Sequence, residues 1–230
     1  MDGGAAVSRV LFTRISGSPP PAQEVLAIEA DGSWTAHLVT GTVVGRFAGP
    51  AGDGGPGGRI VDLADRAVAS EPPAIGNQPL DATIDRVSVD GRSLVTEYRT
   101  DPGGPWGDLL GACRALLFDA VANPVAAIAM VVAAPDRLRL EHRGTEPMSV
   151  DMNGAEVEGT VWTESGEYLT RGTARLDAGP VEAGPGWHRD VLLEGLDPAK
   201  PGNLVAIIGF AIELGGSYVP VTLSAGRAPG

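Results

Sequence analysis

Apolar and polar residues alternate along most of this chain, and the alternation breaks at short turn signals. In Ser33 to Val39, Trp34, Ala36 and Leu38 fall on one face and Ser33, Thr35 and His37 on the other, the period-2 pattern of a half-buried strand. Asp31-Gly32, Asp90-Gly91, Asn153-Gly154, Ser165-Gly166 and Gly215-Gly216 each sit between such segments. A type I′ turn needs positive φ at its central residues, which Gly, Asn and Asp tolerate, so all five are expected to close antiparallel hairpins.

A helical period occurs twice. Arg59 to Ser70 carries Ile60, Leu63, Ala64, Ala67 and Val68 on one side, with Asp62, Asp65 and Arg66 opposite, and Pro72-Pro73 stop it. From Pro105, the stripe Trp106, Leu109, Leu110, Cys113, Leu116, Leu117 and Val121 predicts a second helix that ends at Asn123-Pro124. Strands precede each helix: Val7 to Ile15, Glu24 to Ala30, Ser33 to Val39 and Thr42 to Phe47, then Thr83 to Val89 and Arg92 to Thr100. Strands followed by a helix, twice over, predict an α+β domain over residues 7–122, an antiparallel sheet with two amphipathic helices on one face.

Beyond Ile128 only strand patterns remain. They cover Ile128 to Ala133, Arg137 to His142, Met148 to Met152, Ala155 to Trp162, Tyr168 to Leu176, Asp190 to Leu193, Leu204 to Leu214 and Tyr218 to Ser224. Residues 126–226 are therefore expected to form an all-β sandwich. Within them, Leu138 to Val150, with Gly144-Thr-Glu-Pro147 between two strands, resembles the early strands of immunoglobulin-like and fibronectin-like domains. No Cys pair brackets a core Trp, so an antibody-type domain is not implied.

Composition narrows the function. With 33 Gly and 19 Pro the chain suits many tight turns. A net charge of −12 and a pI near 4.6 disfavour nucleic acid and anionic membranes as partners, and Lys200 is the only lysine. Cys113 is alone, on the apolar face of the predicted second helix, where a buried and inert thiol is expected. Met1 to Ala6 shows no signal-peptide pattern, and the longest apolar stretch, Pro124 to Pro135, is shorter than the ~20 residues of a bilayer span. A soluble cytoplasmic protein is the expectation.

Chemistry is sparse. Gly52-Asp-Gly-Gly-Pro-Gly57 fits the G-x-G-x-x-G pattern. A dinucleotide loop needs a parallel βαβ setting and an acidic residue about 20 positions on, and both are missing, so a flexible Gly-rich linker is expected. His37, His142 and His188 lack metal-site spacing, and Asp151, Glu156, Glu158, Glu164, Glu167 and Asp177 read as a solvated strand face rather than a calcium loop. No catalytic residue, metal or cofactor is expected. The corner Pro185-Gly-Trp-His-Arg-Asp190 places Trp187, His188 and Arg189 together as a candidate partner contact, because Trp and Arg often anchor recognition surfaces. The competing reading packs Trp187 on the core.

Arg14-Ile-Ser-Gly17, the Leu63-centred helix, Asp85-Arg-Val-Ser-Val-Asp-Gly91, Thr100-Asp101 and Pro105-Trp-Gly-Asp-Leu-Leu110 resemble the emfourin-type inhibitors of thermolysin-like metalloproteases. The family usually shows Gly-Gly where this chain has Ser16-Gly17, and no inhibitory residue carries across. The resemblance covers residues 7–120 and implies protease inhibition. The residues themselves favour a non-enzymatic binding or assembly protein, acting on a protein partner or by self-association through sandwich loops. A hydrolase or cyclase with a site between two domains is the third reading.

Overall fold

The computed structural model describes residues 8–16, 23–74, 82–197 and 202–227. Val7, Gly17, Ile75 and Lys200 lie outside the described residues. By its internal contacts the chain divides into two units, residues 1–38 with 47–123 and residues 39–46 with 124–230.

The first unit holds β1 (Val10–Ile15), β2 (Gln23–Ile28), most of β3 (Trp34–Thr40), the end of β4 (Val43–Gly49), α1 (Pro56–Val68), β5 (Ile84–Val89), β6 (Arg92–Glu97) and α2 (Gly104–Asp119). Its sheet runs β6-β5-β1-β2-β3. Cross-strand register turns the alternation into rows on the buried face. One row is Trp34, Ile28, Val10 and Val89, and the next is Ala36, Leu26, Phe12, Val87 and Leu94. Every side chain in both rows is at most 3% exposed, and burying each large one is worth about 1.5–3 kcal/mol.

α1 starts at Pro56, and α2 carries Pro105 as its second residue. The stripe from Trp106 to Leu117 on α2 is buried as predicted, but Val121 is 40% exposed because a 3-10 turn, Ala120–Ala122, takes over and shifts the helical phase. Trp106 Nε1 donates to the Ser70 carbonyl at 3.3 Å, tying α2 to the end of α1. The Gly-rich tract is not a linker. Gly57 and Gly58 are buried in the first turn of α1, and Gly52 N donates to the Asp31 carbonyl at 3.1 Å. A Cβ on Gly32, whose φ is +79°, would stand 2.8 Å from Gly58 N, so the glycines serve close backbone approach.

The second unit holds the start of β4, then β7 (Pro124–Ala134), β8 (Arg137–Gly144), β9 (Met148–Trp162), β10 (Tyr168–Ala183), β11 (His188–Leu192), β12 (Asn203–Leu214) and β13 (Ser217–Arg227). Strands in the order β11-β8-β7-β4 form one sheet and β10-β9-β12-β13 another. Ile128, Met130, Leu138 and Leu140 from the first meet Val150, Val157, Ile208 and Leu223 from the second in one core.

Two expectations need correcting. The α+β class does not hold. The chain is mostly β, 57% strand against 16% helical, because the strands of the second unit run far longer than the turn spacing predicts. Asn153-Gly154 closes no hairpin and lies inside β9. Its neighbours Leu176 and Asp177 on β10 pair with Ala155 and Asn153, leaving Gly154, at φ +69°, as a bulge. The other four dipeptides lie in turns between consecutive strands.

Candidate functional site

Two places in the molecule gather charged side chains, one on an exposed strand face and one on a buried face. The first is a groove of about 1020 Å³ in the second unit, formed by β9, β10, β12 and the segment Arg189–Glu194. The bulge at Gly154 creates it. Before the bulge Met148, Val150 and Met152 point inward; after it Ala155, Val157 and Val161 do, so Glu156, Glu158, Thr160 and Trp162 are turned outward together. Trp162, Leu192, Val205 and Ile207 are 38–53% exposed and line the groove. Trp162 is braced edge-to-face by Tyr168, ring centroids 5.7 Å apart.

Charges interleave with these apolar side chains. Arg171 pairs with Glu158 at 2.7 Å, whereas Arg189, Glu156 and Glu194, which also line the groove, have no side-chain ion partner among the described residues. Arg139 donates to Asp190 at 2.7 Å, and that hydrogen bond holds the Asp190 carboxyl below its usual range.

The predicted contact corner is split. Trp187 is half-buried against the core of the second unit, its N–H donating to the Gly184 carbonyl, while Arg189 faces the groove. His188 is exposed on β11, with Nδ1 3.3 Å from the Gly186 carbonyl oxygen. His142 is buried on β8 and donates from Nε2 to the Glu146 carbonyl at 2.9 Å. The structure does not bring His37, His142 and His188 together: among the described residues no group of three or more His, Cys, Asp or Glu is placed to hold a metal.

The second place is the next row on the buried face of the first unit. There β2, β1, β5 and β6 present Glu24, Arg14, Asp85 and Thr96 side by side. Asp85 and Thr96 are fully buried and Glu24 is 7% exposed. Charges enter such a row only when paired. Arg14 donates from Nε to Asp85 at 2.7 Å, from Nη2 to its other oxygen at 3.3 Å, and from Nη1 to Glu24 at 3.2 Å. Arg114, reaching down from α2, donates from Nε to Asp85 at 2.7 Å and to the carbonyls of Thr100 and Glu97.

Burial, the larger influence, pushes the Glu24 carboxyl above its ordinary value even though Arg14 pulls it down. Burial also pulls the Arg14 guanidinium down, but Asp85 and Glu24 outweigh it and leave Arg14 above its ordinary value. Cys113, fully buried beside this row, has its thiol pushed up to about 12 by burial and by the Asp85 charge.

Sequence reasoning missed this row as a site, although it was readable. Arg14 shares the inward parity of Phe12, Asp85 that of Val87 and Glu24 that of Leu26. Charged residues at inward positions on three neighbouring strands are the signal.

No family model, characterised protein or solved structure matches this chain. The likenesses to emfourin-type and immunoglobulin-like proteins rest on the quoted residues alone. No helix among the described residues is long and apolar enough to cross a membrane.

Proposed function

We propose that this is a non-enzymatic binding protein that takes a segment of a partner protein on the groove of its second unit. The observation that carries the reading is the gathering of Trp162, Leu192, Val205 and Ile207 on one concave face. Large apolar side chains collected in this way on a surface mark recognition sites. The free charges define the partner's chemistry. It presents apolar side chains flanked by a carboxylate for Arg189 and by a cation for Glu156 or Glu194. A chain of net charge −12 with a mixed-sign groove suits such a protein segment better than a polyanion. The proposed setting is the cytoplasm, in keeping with a single cysteine that has no partner thiol in the chain.

Panning a random peptide library on the full chain tests this. Selected peptides should carry apolar residues with charges of both signs nearby, and should bind the Trp162→Ala and Ile207→Lys variants at least about tenfold more weakly, roughly 1.4 kcal/mol. Both positions are exposed, so the fold tolerates the changes. Equal binding to wild type and both variants would remove the groove as the site.

A further inference from the structure

The polar row of the first unit leads to a surface feature that its ion pairs do not use up. Tyr98, 39% exposed at the end of β6, carries three guanidinium groups around its ring. Arg14, Arg99 and Arg114 have their guanidinium carbons 4.3, 5.4 and 5.9 Å from the ring centroid. Asp85 and Glu24 sit under Arg14 and Arg114. Arg99 differs, because its side chain meets the Tyr98 ring and makes no hydrogen bond or ion pair among the described residues.

Arg99 is also held in an uncommon backbone conformation. Its φ is +72°, and Asp90 is the only other described non-glycine residue at positive φ. Asp90 is in a two-residue hairpin turn, where Asp is at home. An arginine has no such excuse: its Cβ crowds the following carbonyl in this region, and a glycine would fit without strain. Strain kept at one exposed arginine, beside two others that already repel it, marks a place where the side chain's position has a use.

We propose that Arg14, Arg99 and Arg114 around Tyr98 form a binding site for a small oxyanion, a carboxylate or a phosphate. Guanidinium forks hold such groups by paired, charge-assisted hydrogen bonds. Arg14 and Arg114 each spend three N–H groups on protein acceptors, so each retains two, and Arg99 keeps all five. The anion offsets the unshared charge of Arg99. It also explains local positive charge in a chain that carries 29 acidic residues against 17 basic ones. The fixed carboxylate of Asp85 orients Arg14 and Arg114 before the ligand arrives, as a positioning group rather than a contact.

The test is a titration of the full-length chain with inorganic phosphate, and separately with succinate, at constant ionic strength set with chloride. The readout is the NMR signals of the arginine Nε–H groups. Saturable shifts at Arg99 and Arg114 with either anion support the site, and the anion that acts identifies the source. Arg99→Gly is the decisive variant, because glycine accepts φ +72°. The fold should be retained or strengthened while apparent affinity falls about tenfold or more. Arg99→Lys, which keeps charge and loses the fork, should fall between. Linear shifts without saturation, or the same titration curve for wild type and Arg99→Gly, would overturn the proposal. The second result would also expose any general salting effect of phosphate, which acts on both proteins alike.

Discussion

Replacing Asp85 by asparagine removes one charge from the centre of the polar row and leaves its shape. Asp85 is fully buried and receives two short charge-assisted hydrogen bonds, each of 2.7 Å, from Arg14 Nε and Arg114 Nε, with a longer third from Arg14 Nη2. Bonds to charged groups contribute about 1.5–3 kcal/mol each, and the amide keeps a single acceptor while turning an NH₂ group toward a guanidinium. Removing one partner of a buried ion pair costs about 3–5 kcal/mol. The arginines retain 17% and 20% side-chain exposure and recover some hydration, which places the loss near the lower end, about 3 kcal/mol.

A domain's whole stability is about 5–15 kcal/mol, so such a loss is large, and for a unit of this size it lowers the melting temperature by roughly 12 °C. Urea denaturation followed by tryptophan emission measures it, in a Trp162→Phe, Trp187→Phe background. The remaining Trp34 and Trp106 are 3% and 1% exposed in the first unit and report on it alone. A loss below about 1 kcal/mol would refute the reasoning, because it would mean that Arg14 and Arg114 find equal partners without the carboxylate.

Three further outcomes are expected. The folded-state pKa of Glu24 lies above its ordinary 4.5, so its protonated form favours folding; the contribution is complete below that value and is lost as pH rises through the folded-state pKa. Glu24→Gln should therefore gain on wild type in urea denaturation as pH is raised from 4.5 toward neutrality, and an unchanged difference would contradict the shift. Cys113, with its thiol pushed up to about 12 and no exposure, should resist a thiol-reactive reagent in the native chain and react at once in denaturant, and rapid native labelling would contradict its burial. Gly45→Ala should destabilise the second unit by about 1–3 kcal/mol or more, read as faster hydrogen exchange in β7, because the new Cβ meets the Ala126 carbonyl and comes within 2.5 Å of Ala127 Cα.

What the sequence made legible, and what it hid, follows from the range over which each feature is decided. Asp90-Gly91 and Gly215-Gly216 are turns because the residues flanking them pair with each other, Val89 with Arg92 and Leu214 with Ser217. Asn153-Gly154 offers the same backbone freedom, yet β9 has a long partner on each side, β10 and β12. Folding the segment into its own hairpin would give up both ladders for one short one, whereas a bulge keeps most of both, leaving Gly154 unpaired against β10 and a register break between Ile208 and Ala211 against β12. That choice depends on strands that arrive later in the chain, so no local pattern reveals it.

The switch of inward residues from Met148, Val150 and Met152 to Ala155, Val157 and Val161 is the trace it leaves, and the groove is its product. The polar row is the opposite case. Its parity was written in three separate strands, but only register shows that Glu24, Arg14 and Asp85 are neighbours, and only α2 brings Arg114 to complete the pairing. Alternation thus tells which face a side chain takes. Which side chains meet on that face is fixed by pairing across distances that a single strand's pattern does not contain.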